Sequence, residues 1–269
     1  MPELPDLEAM RAFFNTRLPG RTIQRAQVRI PVVVRASREE FAQTLAGNTF
    51  QPIWRRGKFL VFPLRSGQAL VVNLMLTGRF RYDPPAAKMP AKTCFVIALE
   101  DGREVRYVDE RLMGKAYLVA AGELARVPQW AEMGPDALDP ALTAEAFRGR
   151  LRRYRGQIKN VLLKQEFVAG IGNAYADEIL FVAGLHPYRQ RTALAPEDEE
   201  RLYQAMHDVL EEAIAIVGER TREELPQDEI RDFLKVHRRG GQPCPRCGAA
   251  ITEVTANQRV TSFCRHCQK

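Results

Sequence analysis

The sequence CPRCGAAITEVTANQRVTSFCRHC, residues 244–267, contains two Cys-x2-Cys pairs. Sixteen residues separate the second cysteine of the first pair from the first cysteine of the second pair. Two pairs at this separation can wrap four thiolates around one tetrahedral Zn²⁺, and four sulfurs leave no position for water. The spacing therefore predicts one structural zinc ion, with a redox pair or chance clustering as the alternatives. The predicted ligands are Cys244, Cys247, Cys264 and Cys267.

The segment between the two pairs predicts a small β-ribbon whose turn lies near residues 257–259. Asn257, Gln258 and Arg259 would then stand where two amides and a cation can meet phosphates or base edges of a nucleic acid. Residues 231–269 contain eight Lys or Arg and only two Asp or Glu. A solvated ribbon tip is the alternative, and the ribbon alone does not decide between the two.

Composition narrows the class of protein. The 269 residues include 40 Lys and Arg against 33 Asp and Glu, a net charge of +7 that suggests a polyanionic partner. No apolar run approaches the roughly 18 residues of a membrane span, and the N-terminal MPELPDLE is acidic where a secretory signal is basic. We therefore expect a cytoplasmic protein with no membrane partner. In that reducing compartment, clustered cysteines favour a metal over disulfides.

Upstream of the ribbon, the pattern of apolar residues is helical. The predicted helices cover residues 141–151, 157–163, 173–181, 197–217 and 227–235. A glycine-rich turn at 170–173 precedes the third helix, and the basic run 148–159, which contains no acid, leads towards that turn. Backbone N–H groups at a turn followed by a helix N-terminus form a ready phosphate site. The combination favours binding of a nucleic-acid backbone over a merely charged helix face.

The first half of the chain is typical of antiparallel β structure that follows one helix. Pro5 can start this helix, and Pro19-Gly20 ends it. Short runs rich in Val, Ile, Phe and Leu predict strands at residues 22–28, 50–54, 59–64, 69–76, 93–99 and 105–109. Residues 82–90 are predicted as a loop and the Pro-containing stretch 128–140 as a linker. The expected fold class is α+β, with a sandwich or barrel in the first half.

The N-terminus offers a nucleophile. Met1 precedes a small residue, and its removal would leave Pro2 as a free secondary amine. An α-amino group has an ordinary pKa near 7.7–8.0, so a substantial fraction is neutral at neutral pH and can attack an aldehyde-level carbon. Glu3 could supply or accept a proton, and Lys58, next to a glycine at a strand start, could reach a phosphate. In an arbitrary chain, a plain helix start would be the better explanation of this segment.

Four segments together resemble the bacterial formamidopyrimidine-DNA glycosylase family, with endonuclease VIII as its sister group. They are MPELP at 1–5, RRGK at 55–58, QEFVAGIGNAYADEILFVAGLHP at 165–187 and the four-cysteine end. The resemblance spans the chain and implies a bilobal DNA-repair protein. Its expected parts are a catalytic β-sandwich domain with an N-terminal helix at 1–127, a linker at 128–140, a helix–two-turn–helix domain at 141–236 and a zinc finger at 237–269. Leu4, where endonuclease VIII commonly has Gly, favours the formamidopyrimidine branch.

The same resemblance implies a bifunctional glycosylase and AP lyase. Such an enzyme excises oxidised bases, formamidopyrimidine and 8-oxoguanine among them, from double-stranded DNA through an imine on Pro2, and nicks the strand by β- and δ-elimination. Glu3 corresponds to the acid that protonates the sugar, and Lys58 and Arg259 correspond to further residues of the catalytic machinery. Lys159, Asn173 and Arg259 correspond to DNA contacts. The resemblance also implies a monomer that works in the bacterial nucleoid.

A base that is flipped out of the duplex leaves a void that side chains must fill. Leu76 stands where the family usually has Met, and Met113 stands where it usually has Phe. Arg111 is retained, but Leu112 replaces a second Arg. Apolar wedging survives these changes, whereas they leave the preferred opposite base open.

Two further departures bear on the lesion. Lys164 replaces an acid before the Gln of the central motif, and residues 219–232 are short and acidic where the family has a Gly-bearing loop that closes over 8-oxoguanine. Three alternatives stay open: the same chemistry directed at oxidised pyrimidines, a damage-binding protein without catalysis, and an unrelated zinc-ribbon protein that binds nucleic acid. Pro2, Glu3, Lys58 and Arg259 are all present, which argues against lost catalysis.

Overall fold

The computed structural model describes residues 1–256 and 259–269. Asn257 and Gln258, predicted at the ribbon turn, lie outside the described residues. The chain forms two compact units: Met1–Ala131 with Ile216–Glu229, and Glu132–Ala215 with Ile230–Lys269. The domain boundaries given above stay a prediction. The structure adds that residues 216–229 return to the first unit.

The first unit consists of antiparallel sheets and two helices. One four-stranded sheet has the order β1-β6-β7-β5 and the other has the order β2-β3-β4-β8. The helices are α1 (Leu4–Asn15) and α2 (Arg38–Leu45), and the strands are β1 (Ile23–Val28), β2 (Trp54–Arg56), β3 (Phe59–Pro63), β4 (Gln68–Asn73), β5 (Gly78–Asp83), β6 (Thr93–Leu99), β7 (Glu104–Asp109) and β8 (Lys115–Ala120). The prediction of an antiparallel first half is confirmed.

One core joins both sheets and α1. The ring of Phe14 on α1 lies 5.5 Å from that of Phe62 on β3 and 5.4 Å from that of Phe80 on β5. The rings of Phe62 and Phe80 are themselves 5.4 Å apart, so the two sheets meet there. Contacts between aromatic rings at these separations add to the free energy gained by burial. The C-terminal end of α1 is therefore anchored to this core.

The second unit combines helices with a two-stranded ribbon. Its helices are α3 (Ala144–Leu151), α4 (Ile158–Leu162), α5 (Asn173–Ala183) and α6 (Pro196–Arg220), of which α6 runs on into the residues of the first unit. The ribbon consists of β9 (Thr252–Ala256) and β10 (Arg259–Phe263), which pair antiparallel. The predicted ribbon between the cysteine pairs is confirmed. No helix in the described part of the chain is long and apolar enough to cross a membrane.

The structure corrects several predicted elements. Residues 227–235 do not form the predicted helix, because side chains bind their backbone: Arg79 donates to the carbonyl of Gln227 and the Lys235 N–H donates to Glu178. The strand predicted to reach residue 76 ends at Asn73. Only Trp54 of the predicted strand 50–54 lies in a strand.

Three elements were not predicted. They are α2, β5 and β8, and the start of the predicted loop 82–90 falls inside β5. The sequence GRFRYD of β5 has few apolar residues, and of its side chains only Phe80 is fully buried. The two strands owe their places to pairing with distant residues, whereas α2 begins at a local capping box formed by Ser37 and Glu40.

Candidate active site

The N-terminal pair Pro2 and Glu3 is buried at the start of α1. Glu3 exposes only 3% of its surface. Its backbone N–H donates a hydrogen bond of 2.8 Å to the carboxylate of Asp6, which fixes Glu3 at the N-cap of the helix. The helix N-terminus also favours negative charge at these carboxylates. The predicted nucleophile and the predicted proton shuttle therefore sit side by side on a rigid helix start.

A small cavity adjoins Pro2. Its charged lining consists of Asp6, Arg79, Asp228 and Glu229. The α-amino nitrogen of Met1 lies 2.9 Å from Glu229 Oε1, and Arg79 Nη2 lies 2.7 Å from the same oxygen. No sequence motif singles out Arg79 or Glu229. The acidic character of residues 219–232 was the only signal that pointed to this segment.

Lys58 occupies the tight turn between β2 and β3, where Arg56 pairs with Phe59. Gly57 takes a φ of 54°, a left-handed conformation that glycine adopts without strain. Arg55 holds this turn: its Nη1 donates to the carbonyl of Gly57 at 2.9 Å, and its Nε lies 2.7 Å from Glu8 on α1. The turn that carries Lys58 is thus tied to the helix that carries Pro2 and Glu3.

Leu76 lies in the turn that follows β4. The turn is shaped by Met75, which has a φ of 53° and whose N–H donates to the side chain of Asn73 at 3.0 Å. Leu76 itself is half-buried. An apolar side chain held at the tip of a tight turn can serve as a wedge between base pairs.

The loop after β7 carries the other predicted wedge residues. Arg111 is exposed, and Met113 is 40% exposed, an unusual position for a large apolar side chain. Leu112, which stands where the family has a second Arg, takes a φ of 55° and packs against the core instead. Of the three residues, Leu112 is therefore the structural one.

Asp109 joins these two loops, and the sequence analysis missed it. Its buried carboxylate accepts from the hydroxyl of Thr77 at 2.5 Å, from the Arg111 N–H at 3.2 Å and from the Gly114 N–H at 2.6 Å. One carboxylate therefore links the turn that carries Leu76 to the loop that carries Arg111 and Met113.

In the second unit, the glycine turn leads directly into α5. Gln165 braces the turn: its Oε1 accepts from the Gly170 N–H at 3.0 Å and its Nε2 donates to the carbonyl of Ile171 at 2.9 Å. Asn173 is the first residue of α5, and its amide donates to the carbonyl of Val260 on β10 at 2.8 Å. The turn and the ribbon are thus held together next to Arg259.

Lys159 lies inside the second unit, with 4% of its surface exposed. Its ammonium forms an ion pair of 2.7 Å with Asp177 and donates to the carbonyl of Val260 and the hydroxyl of Thr261 at 2.9 and 2.8 Å. In this arrangement it ties α4 to β10, the strand that begins with the exposed Arg259. Its direct contact with DNA stays a prediction.

Two adjacent buried carboxylates on α5 organise this unit, and the sequence analysis did not single them out. Asp177 also accepts from the N–H of Ser262 at 3.2 Å and lies 2.7 Å from Nδ1 of His237. Burial raises the pKa of Glu178, although its carboxylate accepts three backbone N–H bonds from residues 235–237. Together they fasten the segment that leads into the ribbon to α5.

Part of the basic run 148–159 serves the second unit itself. Arg150 donates to the carbonyls of Glu166 and Phe167 at 2.6 and 2.9 Å. Arg148 and Arg152 each approach an acid of α6 to 3.4 Å. Arg153 and Arg155 are exposed. The run therefore combines structural arginines with a smaller exposed set.

The four cysteines of the C-terminal segment fit one zinc ion. Their sulfur atoms all lie within 4.8 Å of one another. The Cys244–Cys267 and Cys247–Cys264 sulfur pairs are 3.8 and 3.5 Å apart. A tetrahedral ion with Zn–S bonds of about 2.3 Å needs sulfurs about 3.8 Å apart, so the donor set and its spacing both suit Zn²⁺.

The fold and the sites define a class: an α+β protein with an antiparallel N-terminal domain, a helical domain and a cysteine-rich ribbon. Models of protein families match all three parts. The formamidopyrimidine-DNA glycosylase N-terminal domain matches residues 1–116, the formamidopyrimidine-DNA glycosylase H2TH domain matches 133–224, and the zinc finger found in FPG and IleRS matches 241–269.

Individual relatives are similar in sequence to this chain over nearly its full length. The formamidopyrimidine-DNA glycosylase of Pelotomaculum thermopropionicum is 37% identical, and the alignment covers 100% of this chain and 99% of that protein. The one from Moorella thermoacetica is 40% identical over 94% of each chain. This chain belongs to the formamidopyrimidine-DNA glycosylase family.

Solved structures of Lactococcus lactis Fpg share the fold. A mutant bound to a Fapy-dG containing DNA gives a TM-score of 0.91 at 30% identity, with 100% of both chains covered. The wild-type protein bound to an oxidised pyrimidine containing DNA also gives 0.91, at 29% identity and the same coverage. Both neighbours are complexes with damaged DNA.

Proposed function

We propose that this chain is a bifunctional DNA glycosylase and AP lyase that removes oxidised bases from double-stranded DNA. Membership of the family supports the reaction class. The observation that carries the assignment to particular residues is the burial of Pro2 and Glu3 at the start of α1, which Arg55 and Glu8 tie to the turn of Lys58. A carboxylate at the N-cap is ordinary at a helix start, but capping alone does not require it to be only 3% exposed beside a buried Pro2.

The chemistry begins once Met1 has been removed. The neutral nitrogen of Pro2 attacks C1′ of the damaged nucleotide, the C1′–N bond to the base breaks, and the base leaves with a proton. Glu3 protonates the sugar ring oxygen, the ring opens, and an iminium links Pro2 to C1′. Loss of a proton from C2′ then expels the 3′ phosphate, and a second elimination expels the 5′ phosphate. Hydrolysis of the iminium frees the amine.

The DNA backbone would be bound from both units. Lys58, Asn173 and Arg259 contact phosphates around the lesion, and Arg259 supports the chemistry by holding the flipped nucleotide. A zinc ion held by Cys244, Cys247, Cys264 and Cys267 would supply no chemistry, because these four thiolates would close its coordination shell. It fixes the fold of the ribbon that carries Arg259. Lys159 contributes by holding β10, beside any contact of its own with DNA.

Leu76, Arg111 and Met113 would fill the void and meet the orphaned base. The hydrogen bonds of Asp109 to Thr77, Arg111 and Gly114 support this role, since they link the turn that carries Leu76 to the loop that carries Arg111 and Met113. Apolar Leu76 and exposed Met113 suit intercalation, and Arg111 supplies donors for a base edge.

Formamidopyrimidine and 8-oxoguanine are the proposed lesions, and oxidised pyrimidines are the second candidate. The short segment at 219–232 supports oxidised pyrimidines as the second candidate, because it differs from the family's capping loop. We further propose a monomer that acts at the bacterial nucleoid. A duplex panel with 8-oxoguanine, formamidopyrimidine, 5-hydroxycytosine or an abasic site, each opposite all four bases, would rank the substrates.

Borohydride trapping tests the proposed nucleophile. We expect the chain without Met1 to form a covalent adduct with an abasic duplex, because borohydride reduces the iminium to a stable amine. A protein whose N-terminal amine is blocked by acetylation should lose the adduct by at least about 100-fold while binding of an uncleavable abasic analogue stays within about threefold. Absence of an adduct from fully processed wild-type protein would contradict the lyase assignment and favour a damage-binding protein.

A further inference from the structure

The segment that follows α6 is fastened to the first unit at three points. Leu225 is buried in the core of that unit. Arg17 Nη2 donates to the carbonyl of Arg222 at 3.1 Å, and Arg79 Nε donates to the carbonyl of Gln227 at 3.0 Å. These contacts fix the position of Glu229, which lies at the end of the segment.

Glu229 lies next to the N-terminal amine. A single carboxylate oxygen of Glu229 lies 2.9 Å from the α-amino nitrogen of Met1 and 2.7 Å from Arg79 Nη2. Pro2, Arg79 and Glu229 line the same small cavity. Removal of Met1 moves the free amine by one residue, to an atom that already lines this cavity.

We propose that Glu229 and Arg79 form a charge pair that positions the Pro2 amine and sets the pH at which it becomes nucleophilic. The inference rests on the proposed function, because it takes Pro2 as the nucleophile. Glu229 and Arg79 are positioning residues in this scheme, since they act on the substrate through the amine.

The two charges act in opposite directions. A carboxylate next to an amine favours the protonated form, which cannot attack, whereas a guanidinium favours the neutral, nucleophilic form. Arg79 and the amine both approach Oε1 of Glu229. The positive charge of Arg79 therefore partly neutralises the negative charge that holds the amine. The balance of the pair therefore decides how much neutral amine is present at a given pH.

Other charges face the same amine and stay in place when the pair is changed. Glu3 and Asp6 lie at the start of α1, and Asp228 lines the cavity from the segment after α6. They add a constant background to every variant. Differences between variants then report on Glu229 and Arg79 alone.

The test is the pH dependence of adduct formation under single-turnover conditions. Processed wild-type protein, Glu229→Gln and Arg79→Gln are each incubated with an abasic duplex between pH 5 and 9, with cyanoborohydride as the reductant because borohydride decomposes in acid. We expect the acid limb of the rate profile to move down by about 0.5–1 pH unit in Glu229→Gln and up by a similar amount in Arg79→Gln. The Glu229→Gln/Arg79→Gln double variant should lie near wild type.

Two controls separate this effect from a loose fold. Glu224→Gln removes a carboxylate from an exposed position in the same segment that does not line the Pro2 cavity, and its profile should match wild type. Arg79→Lys keeps the charge but loses the planar fork, so it should restore the acid limb while lowering the maximum rate.

Each result has a distinct meaning. Acid limbs that stay at the wild-type pH in both single variants, or that move in the same direction, would overturn the role of the pair. If processed wild-type protein forms no adduct at any pH, the proposed function fails rather than this inference. Opposite shifts in the two single variants would support both.

Discussion

The zinc ribbon and the two wedge loops are held in place by different means. The wedge loops are the turn that carries Leu76 and the loop that carries Arg111 and Met113. Four cysteines within 24 residues of sequence hold the ribbon, and they need only a metal ion between them. The wedge loops are separated along the chain by three strands, β5, β6 and β7, and share one buried carboxylate, that of Asp109, whose hydrogen bond to Thr77 spans 32 residues. The first arrangement is local and depends on a ligand. The second is non-local and depends on the folded sheets.

Removal of zinc should have the largest effect, and it should disrupt the ribbon but not the wedge loops. A structural zinc site contributes roughly 10–16 kcal/mol of binding free energy, so a chelator should unfold the ribbon. The loss of Arg259 from its place should weaken DNA binding by at least about tenfold. Salt titration and a binding isotherm for an abasic duplex would measure it.

The chain provides an internal control for that experiment. It has two tryptophans, Trp54 and Trp130, and both lie in the first unit. Their fluorescence spectrum should stay unchanged when zinc is removed. A large spectral shift would show that the first unit depends on the metal as well, which would contradict the division drawn here.

Asp109→Asn should have the next largest effect, on the loops and not on the ribbon. The amide keeps the shape of the side chain and one acceptor oxygen, which can serve Thr77 and Arg111, but its NH2 group cannot accept from the Gly114 N–H as Oδ2 does. Hydrogen bonds to a charged group are worth about 1.5–3 kcal/mol each, so we expect the free energy of unfolding to fall by about that amount. Urea denaturation followed by tryptophan fluorescence would measure it.

The same substitution at an exposed turn is the matched control for Asp109→Asn. Asp101 lies in the turn between β6 and β7, where its carboxylate approaches Arg21 at 3.6 Å and accepts from the Arg103 N–H at 3.0 Å. Because a surface ion pair contributes little, Asp101→Asn should change stability by less than about 1 kcal/mol. Excision of an oxidised base by Asp109→Asn should slow more than cleavage of an abasic duplex, because only the first reaction must expel a base. Equal slowing of both would argue that the loops do not act as wedges.

The same contrast explains what the sequence could predict. Ligand spacing in Cys244–Cys267 identified the metal site, and the start of α1 was marked by proline and acids, because both signals are local. Asp109, Asp177 and Glu229 carry no such signal, since their importance arises from partners that folding brings from far along the chain. The error at residues 227–235 has the same origin, because distant side chains bind that backbone and replace the bonds of a helix.

The smallest expected effect concerns the fifth cysteine, Cys94. Burial protects this thiol from alkylation, whereas a metal ion protects the other four. Burial raises the pKa of Cys94 to about 12, so at pH 8 only about one thiol in ten thousand is ionised. The four ribbon thiols are protected by metal instead. We therefore expect iodoacetamide at pH 8 to label no cysteine in the zinc-loaded protein, four after chelation and five only in denaturant, as counted by mass spectrometry. A Cys94→Ala variant should lack the fifth label, and labelling of Cys94 in the folded chain would show that this strand opens more readily than its burial indicates.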